Sequence, residues 1–322
     1  MDNLILHSIS VVIPIYGGEK TISRLIAEIS TLTKPQKTKN LNVSYVISEV
    51  ILIHDCGPDG SAKVIEALCE LYSFINPIWL TRNFGQHAAT LAGMASAVGD
   101  WVVTIDEDGQ QNPLDIQILL EEAISKSLQL VYARPINKPP HGWLRNCMSR
   151  IAKFLGAKMI GYHGLSKFNS FRLIEGEIAR TLAAYCGYGI YLDVGLFWIA
   201  DKVGDCGVIL RPETKRVSGY TYIKLLLHFW NLTLTTGVRP LRLITSMGLL
   251  SIVISLSIFI YALYGKYYTS TPVQGWASLL IIVSFFSGSI LTGLGIIAEY
   301  MAIGIGISMG RPLYVVKSKL TK

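Results

Sequence analysis

The chain is 322 residues long, with 51% hydrophobic residues, 16% charged residues and a formal net charge of +7. Soluble domains carry roughly 25% charged residues, so part of this chain is not an ordinary soluble domain. The length allows one α/β domain of about 200 residues and a further, hydrophobic region. Much of the positive charge lies beside that region, which favours anionic lipid headgroups over nucleic acid as the partner. The five cysteines lack a CxxC spacing, which indicates reduced thiols and not a zinc site.

The first part of the chain, from Ser8 to about Ala133, alternates short β-branched runs with helical segments. This alternation predicts βαβ units on a mostly parallel sheet. The predicted strands are Ser10–Tyr16, Glu49–His54, Pro77–Leu80, Trp101–Ile105 and Leu128–Tyr132. The predicted helices lie near Lys20–Thr31, Gly60–Tyr72, Gln86–Val98, Pro113–Ser125 and, after a proline-rich basic loop, Trp143–Ile160. Ligands of such sheets bind at the carboxyl ends of the strands.

Acidic residues follow several of these strands. Asp106 and Asp108, in WVVTIDED, are separated by one residue at the end of an apolar strand and could hold a hard divalent cation against a diphosphate. An ordinary acidic turn is the alternative for this pair. Asp55 could accept a hydrogen bond from a nucleobase, or it could be a turn carboxylate before Gly57. A third acidic position, Asp193, lies in YLDVG.

Basic and amide residues follow other strands. Arg82 and Asn83 could contact phosphates or a base, although Asn83 could instead cap the next helix. A basic stretch after the fifth predicted strand could bind a phosphate or could be a solvated face. It consists of Arg134, Lys138, Arg145 and Arg150. The sequence lacks a GxxxxGKS phosphate loop, a GxGxxG turn after the first strand and a GxSxG nucleophile turn.

Two apolar runs near the C-terminus, Leu243–Tyr264 and Trp276–Ala298, are each about 22 residues long without a formal charge. At about 1.5 Å per residue each could cross a bilayer core of roughly 30 Å. Basic residues flank the pair, whereas the loop between the runs holds only Lys266, which predicts that both ends face the cytoplasm. The helical pattern of Tyr220–Trp230 predicts an interfacial helix or a core helix.

Seven segments, in their order along the chain, resemble family 2 glycosyltransferases of the glycosyltransferase A fold. They are most similar to the polyprenyl-phosphate glycosyltransferases with two C-terminal membrane helices, such as bactoprenol glucosyltransferases and undecaprenyl-phosphate aminoarabinose (formamido-sugar) transferases. The segments are VVIPIY, HDCGPDGSA, LTRNFGQHAATLAG, VTIDEDGQQNP, WLRNCMS, SFRL and the tail GLGIIAEY with GRPLYVV.

The resemblance implies the roles of individual residues. The implied donor site consists of Pro14, Tyr16, Glu19, Asp55, Arg82, Asn83, Gln86 and Asp106. Asp108, with Asp106, would bind Mg²⁺ or Mn²⁺ at the donor diphosphate. The implied acceptor-phosphate site consists of Arg134, Arg145 and Ser149. Arg172, in SFRL, matches a further active-site position; the implied catalytic set is Asp106, Asp108, Arg145, Ser149 and Arg172.

The resemblance also implies the reaction and its location. One sugar, with UDP-glucose as the first candidate, would pass with inversion from a nucleotide-sugar to undecaprenyl or another polyprenyl phosphate. The location would be the cytoplasmic face of a bacterial inner membrane, in cell-envelope chemistry such as lipopolysaccharide or glycan modification, and a homo-oligomer is possible. The predicted regions are a glycosyltransferase domain at 1–215, a juxtamembrane helix at 216–240, two membrane helices at 241–307 and a cytoplasmic tail at 308–322.

The sequence departs from the family pattern in three places. It has Gly17 and Gly18 where many relatives have Asn-Glu, Cys56-Gly57 where they have Gly-Ser, and Asn169-Ser170 before FRL. These departures would be compatible with a catalytically inactive, membrane-bound nucleotide-sugar sensor or scaffold. A processive polysaccharide synthase is a second alternative, although the QxxRW motif and additional spans of such enzymes are absent. A small transporter is a third, but the apolar runs hold no charge that would mark a substrate path.

Overall fold

The computed structural model describes residues 6–41, 43–137, 168–187, 190–212 and 275–317, together with positions 253, 257, 260 and 264. Three predicted elements lie outside these residues wholly or almost wholly. They are the helices Trp143–Ile160 and Tyr220–Trp230 and the first apolar run, Leu243–Tyr264. The predicted site residues Arg145 and Ser149 also lie outside the described part.

In the described part of the chain, eight strands form one sheet. They are β1 Leu6–Ile15, β2 Gln36–Lys37, β3 Ser44–His54, β4 Ile75–Trp79, β5 Trp101–Thr104, β6 Leu130–Pro135, β7 Arg172–Glu175 and β8 Val203–Val208. The five strands predicted from the sequence correspond to β1, β3, β4, β5 and β6. The other three were missed because each is short and shows little alternation of apolar and polar residues.

The strands lie in the order β2-β3-β1-β5-β7-β6-β8, and β4 also pairs with β3. Neighbours β1–β3, β1–β5, β3–β4 and β6–β8 are parallel. β2 is antiparallel to β3, and β7 is antiparallel to both β5 and β6. The sheet is therefore mixed, but β1, β3, β4, β5, β6 and β8 all point the same way. Their carboxyl ends meet at one edge, where the loops that follow them converge.

Helices cover both faces of the sheet. They are α1 Ile22–Ser30, α2 Ser61–Leu71, α3 Gln86–Ser96, a 3₁₀ turn Pro113–Asp115 leading into α4 Ile116–Ser125, α5 Gly176–Tyr185 and α6 Leu192–Ile199. A further helix, α7 Trp276–Ser308, is largely exposed. The four helices predicted between strands are confirmed as α1 to α4. Because side chains alternate along a strand, β1 contributes Ile13 to a core shared with α1, α2 and α4, and Val12 to a core shared with α3, α5 and α6.

The second apolar run forms α7, which continues ten residues beyond the predicted end at Ala298. Its part Phe285–Ser308 is 24 residues long and holds one charged residue, Glu299, so it is long and apolar enough to cross a membrane. It is the one such helix among the described residues. The two-span arrangement and the domain boundaries remain predictions.

Candidate active site

A cleft of about 410 Å³ lies at the carboxyl edge of the sheet, where β1, β3 and β5 end. Seven of the predicted site residues line it: Pro14, Tyr16, Asp55, Asn83, Gln86, Asp106 and Asp108. They come from four segments, which are the ends of β1, β3 and β5 with the residues that follow them and the stretch from the loop after β4 into α3. The parallel course of the strands brings these segments together. The seven residues therefore share one cleft at the edge where the sequence predicted a ligand site, and their binding roles stay predictions.

Asp55 joins the end of β3 to the loop after β4, residues 81–85, here called the β4 loop. Its carboxylate is 3% exposed and accepts hydrogen bonds from the backbone N–H groups of Phe84 at 2.7 Å and Gly85 at 2.9 Å. Burial raises the pKa of Asp55, and the two N–H groups oppose the rise. Asp55 thus fixes the loop that carries Asn83 into the cleft. Its predicted contact with a nucleobase stays a prediction.

The loop after β1 packs directly on the loop after β3. A Cβ atom on Gly57 would lie 1.8 Å from the carbonyl oxygen of Tyr16, so glycine alone can occupy this position. Tyr16 is 48% exposed and lines the cleft. The close approach of the two backbones sets the width of the cleft between Tyr16 and Asp55.

Glu107 had no assigned role in the sequence, and the structure gives it one. Its carboxylate accepts hydrogen bonds from the backbone N–H of Tyr16 at 2.8 Å and of Gly17 at 3.0 Å. A Cβ on Gly18 would lie 2.9 Å from Glu107 Oε2. The unusual Gly18 therefore leaves room for Glu107, which links the β1 loop to the acidic loop after β5.

Asp106 is held on both of its oxygens. Oδ1 accepts from Gln86 Nε2 at 2.7 Å, and Oδ2 accepts from Gln111 Nε2 at 2.9 Å and from the hydroxyl of Ser170. Burial raises the pKa of Asp106 to about 6; the Ser170 hydroxyl opposes the rise and the charge of Asp108 adds to it. Neither Gln111 nor Ser170 was predicted as a site residue. Ser170 lies 64 positions from Asp106, and Gln111, although only five positions away, gave no sign in the sequence that its amide would point at Asp106.

The cleft offers a divalent cation only part of the oxygen ligands that it needs. Asp106 and Asp108 offer hard carboxylate oxygens to the cleft. Burial and, to a lesser extent, the charge of Asp108 raise the pKa of Asp106, and a cation beside the pair would favour the ionised carboxylate. Among the described residues, no group of three or more His, Cys, Asp or Glu side chains is placed to hold a metal. A cation here would need further oxygens from a ligand and from water, as Mg²⁺ sites commonly do.

Three other predicted residues do not line the cleft. The carboxylate of Glu19 accepts from the backbone N–H of Gly60 at 3.1 Å, so it ties the β1 loop to the start of α2. The guanidinium of Arg82 lies 4.6 Å from the centre of the Phe84 ring. The side chain of Arg134, at the end of β6, is 57% exposed and pairs through Nε with Asp205 at 2.9 Å. Their predicted binding roles stay predictions.

Arg172 is buried below the cleft and does not line it. It is 3% exposed and forms an ion pair with Asp193, and its Nε donates to Thr104 Oγ1 at 3.2 Å. The hydroxyl of Tyr132 also donates to Asp193, at 2.9 Å. This network connects β5, β6, β7 and α6. Arg172 is therefore placed to act on the cleft through its neighbours. Its counter-ion is Asp193, the acidic residue of YLDVG.

The chain is similar to known glycosyltransferases. The model of the family "Glycosyl transferase family 2" matches residues 10–182. The chain is 27% identical to the bactoprenol glucosyl transferase of Shigella phage SfV, over 98% of this chain and 99% of that protein. It is 26% identical to the undecaprenyl-phosphate 4-deoxy-4-formamido-L-arabinose transferase of Pectobacterium atrosepticum, over 98% and 94%.

The fold is similar to that of a solved enzyme. The structure of glucosyl-3-phosphoglycerate synthase from Mycobacterium tuberculosis with Mn²⁺ and UDP-glucose superposes with a TM-score of 0.52 at 20% identity, covering 72% of this chain and 79% of that one. This is a likeness of the α/β fold with its mixed sheet. Because the family model matches more than half of the sequence, the chain belongs to glycosyl transferase family 2.

Proposed function

We propose that this chain transfers one sugar from a nucleoside-diphosphate sugar to a polyprenyl phosphate, with UDP-glucose as the first donor to test. The observation that carries the proposal is the cleft that joins Asp55, Asp106 and Asp108 in a member of glycosyl transferase family 2. Similarity over nearly the full chain to two proteins named as bactoprenol and undecaprenyl-phosphate transferases supports a polyprenyl phosphate acceptor.

The cleft suggests how a donor would lie. Pro14, Tyr16 and the β4 loop form the part beside Asp55, where the base and ribose would bind, and Asp106 and Asp108 form the part where the diphosphate would lie. Held by Asp108 with Asp106, Mg²⁺ or Mn²⁺ would neutralise charge on the departing diphosphate. Glu107 holds the β1 loop in place, and Gln86, Gln111 and Ser170 orient Asp106.

The chemistry needs no strong general base, because the acceptor is already an anion. A phosphate oxygen forms a bond to the anomeric carbon while the bond from that carbon to the diphosphate breaks, and the nucleoside diphosphate leaves. A single displacement inverts the configuration. Catalysis would rest on positioning and charge neutralisation. Arg134, Arg145 and Ser149 are the proposed acceptor-phosphate ligands, and α7 would keep the domain at the cytoplasmic face of the membrane.

The test is sugar transfer by detergent-purified full-length protein. Radiolabelled UDP- and GDP-sugars are offered with undecaprenyl phosphate, with Mn²⁺, Mg²⁺ or EDTA. We expect a lipid-linked sugar from one donor, its loss in EDTA and its loss in Asp108→Asn. Asp201→Asn, which removes an exposed carboxylate before β8, is the matched control and should keep full activity. A donor that binds without any transfer would contradict the proposal and favour a sensor or scaffold.

A further inference from the structure

The membrane helix candidate α7 ends in a turn that depends on one glycine. Gly310 has φ +62°, and its N–H donates to Ile307 O at 3.0 Å while the N–H of Arg311 donates to Gly306 O at 3.2 Å. These two bonds form a Schellman motif, in which glycine takes the left-handed conformation that closes a helix. Pro312 follows and cannot continue the helix. The next residues, 313–317, return to the sheet and are here called the tail strand.

The tail strand pairs with the end of β4. Leu80 lies opposite Val316 in an antiparallel bridge. The N–H of Thr81 donates to Val315 O at 3.0 Å, and the N–H of Lys317 donates to Trp79 O at 2.6 Å. Leu313 and Tyr314 pack against the same core as Leu80, and burial raises the pKa of Tyr314. The tail strand therefore covers an edge that β4 would otherwise expose.

The residues that the tail strand holds are also the start of the β4 loop. Leu80 donates its N–H to His54 O at 3.0 Å, and the thiol of Cys56 donates to Leu80 O at 3.0 Å. Asp55 holds the other end of the loop through Phe84 and Gly85. Asn83, between these two anchors, lines the cleft. The loop is thus fixed from the sheet at one end and from the tail at the other.

We propose that the tail strand is a positioning segment for nucleotide binding: by holding Thr81 it pre-forms the β4 loop, so that affinity for the donor depends on residues that follow the membrane helix. This inference rests on the proposed function, since it takes the cleft to be the donor site. A ligand loses less free energy to conformational entropy when it binds a loop that is already ordered than when binding must order the loop. Loss of the pairing should therefore weaken nucleotide binding and leave the chemical step unchanged.

The test compares two proline variants of the full-length protein in detergent. Lys317→Pro removes the N–H that donates to Trp79. Val316→Pro is the matched control, because Val316 faces Leu80 in a non-hydrogen-bonded pair and its own N–H points away from β4. The measurements are the Kd for UDP with Mn²⁺, hydrogen exchange of the Thr81 amide, and kcat at saturating donor.

We expect Lys317→Pro to raise the Kd for UDP about fivefold, the worth of one typical hydrogen bond, to accelerate exchange at Thr81 and to leave kcat unchanged. Slow exchange of β1 amides reports that the domain is folded. Should Lys317→Pro lose it, Gly310→Ala, which strains the left-handed turn that returns the tail strand to β4, serves in its place. An unchanged Kd, with or without faster exchange at Thr81, overturns the inference while the proposed function stands. Failure of the unmodified protein to bind any nucleotide overturns both.

Discussion

Gly57 and Tyr16 meet backbone to backbone: a Cβ on Gly57 would lie 1.8 Å from the Tyr16 carbonyl oxygen. Gly57→Ala must push the β1 and β3 loops apart, which alters the cleft from both sides. We expect a destabilisation of about 1–3 kcal/mol and a loss of UDP binding of more than about tenfold. Gly187→Ala is the control, since the nearest atom to its Cβ would lie at an ordinary 3.6 Å. Equal UDP affinity in Gly57→Ala and the unmodified protein would show that the spacing of the two loops does not determine UDP binding.

Asp55 should act on the donor through the β4 loop. In Asp55→Asn an amide group replaces one acceptor, so one of the N–H groups of Phe84 and Gly85 loses its partner. We expect a cost of about 1–3 kcal/mol in unfolding free energy and a raised KM for the donor, measured by denaturant titration and initial rates. Glu70→Gln, which removes an exposed carboxylate from α2, should change neither. A changed kcat at unchanged KM would argue for a different role.

Ser170 should matter because it holds Asp106. Ser170→Ala removes the hydroxyl that donates to Asp106 and also the acceptor of Gln111 Nε2 at 2.9 Å. We expect the affinity for UDP with Mn²⁺ to fall more than about tenfold by calorimetric titration, because a hydrogen bond to a charged group is worth about 1.5–3 kcal/mol. Ser125→Ala is the control, because its hydroxyl donates only locally, to Glu122 O. Undiminished affinity would place Asp106 outside the donor site.

The buried pair of Arg172 and Asp193 should be coupled in stability. Either single change, Arg172→Met or Asp193→Asn, leaves a buried charge without its partner and should cost about 3–5 kcal/mol in denaturant unfolding. The double variant should cost much less than the sum of the two. Arg172→Lys separates the structural role from a catalytic one. A large loss of kcat in this variant at near-normal stability would favour the catalytic role predicted from the sequence.

Asp100 should contribute to acid stability. Hydrogen bonds from the backbone N–H and hydroxyl of Ser8 lower the pKa of the Asp100 carboxyl. A carboxyl with a lowered pKa stabilises the folded state above its ordinary pKa, near 3.8, and that contribution is lost as the pH falls through the lower folded value. Ser8→Ala should move the midpoint of acid unfolding to higher pH, as followed by circular dichroism. Ser30→Ala, which loses only a local bond to Ala27 O, should leave it in place.

The sequence predicted the strands and helices that surround the site because the patterns that mark them are local in sequence. β-branched runs such as SVVIPI and WVVT gave β1 and β5, and the acidic residues that follow them mark the carboxyl edge of the sheet. The amphipathic pattern of α1 is equally local, with Ile22, Leu25, Ile26 and Ile29 on one buried face. Counting uncharged residues was enough to predict the apolar run that forms α7.

The tertiary structure decided which polar groups meet. Ser170 lies 64 positions from Asp106, and Glu107 lies 91 positions from Tyr16, so no periodicity could pair them. The antiparallel insertion of β7 brings Ser170 to the cleft and Arg172 beneath it. The tail strand reaches Thr81 because the turn at Gly310, after the end of α7, returns the chain to β4. Residue types and periodicity thus determined the elements and the kind of chemistry, whereas contacts between distant residues depend on the folded path of the chain.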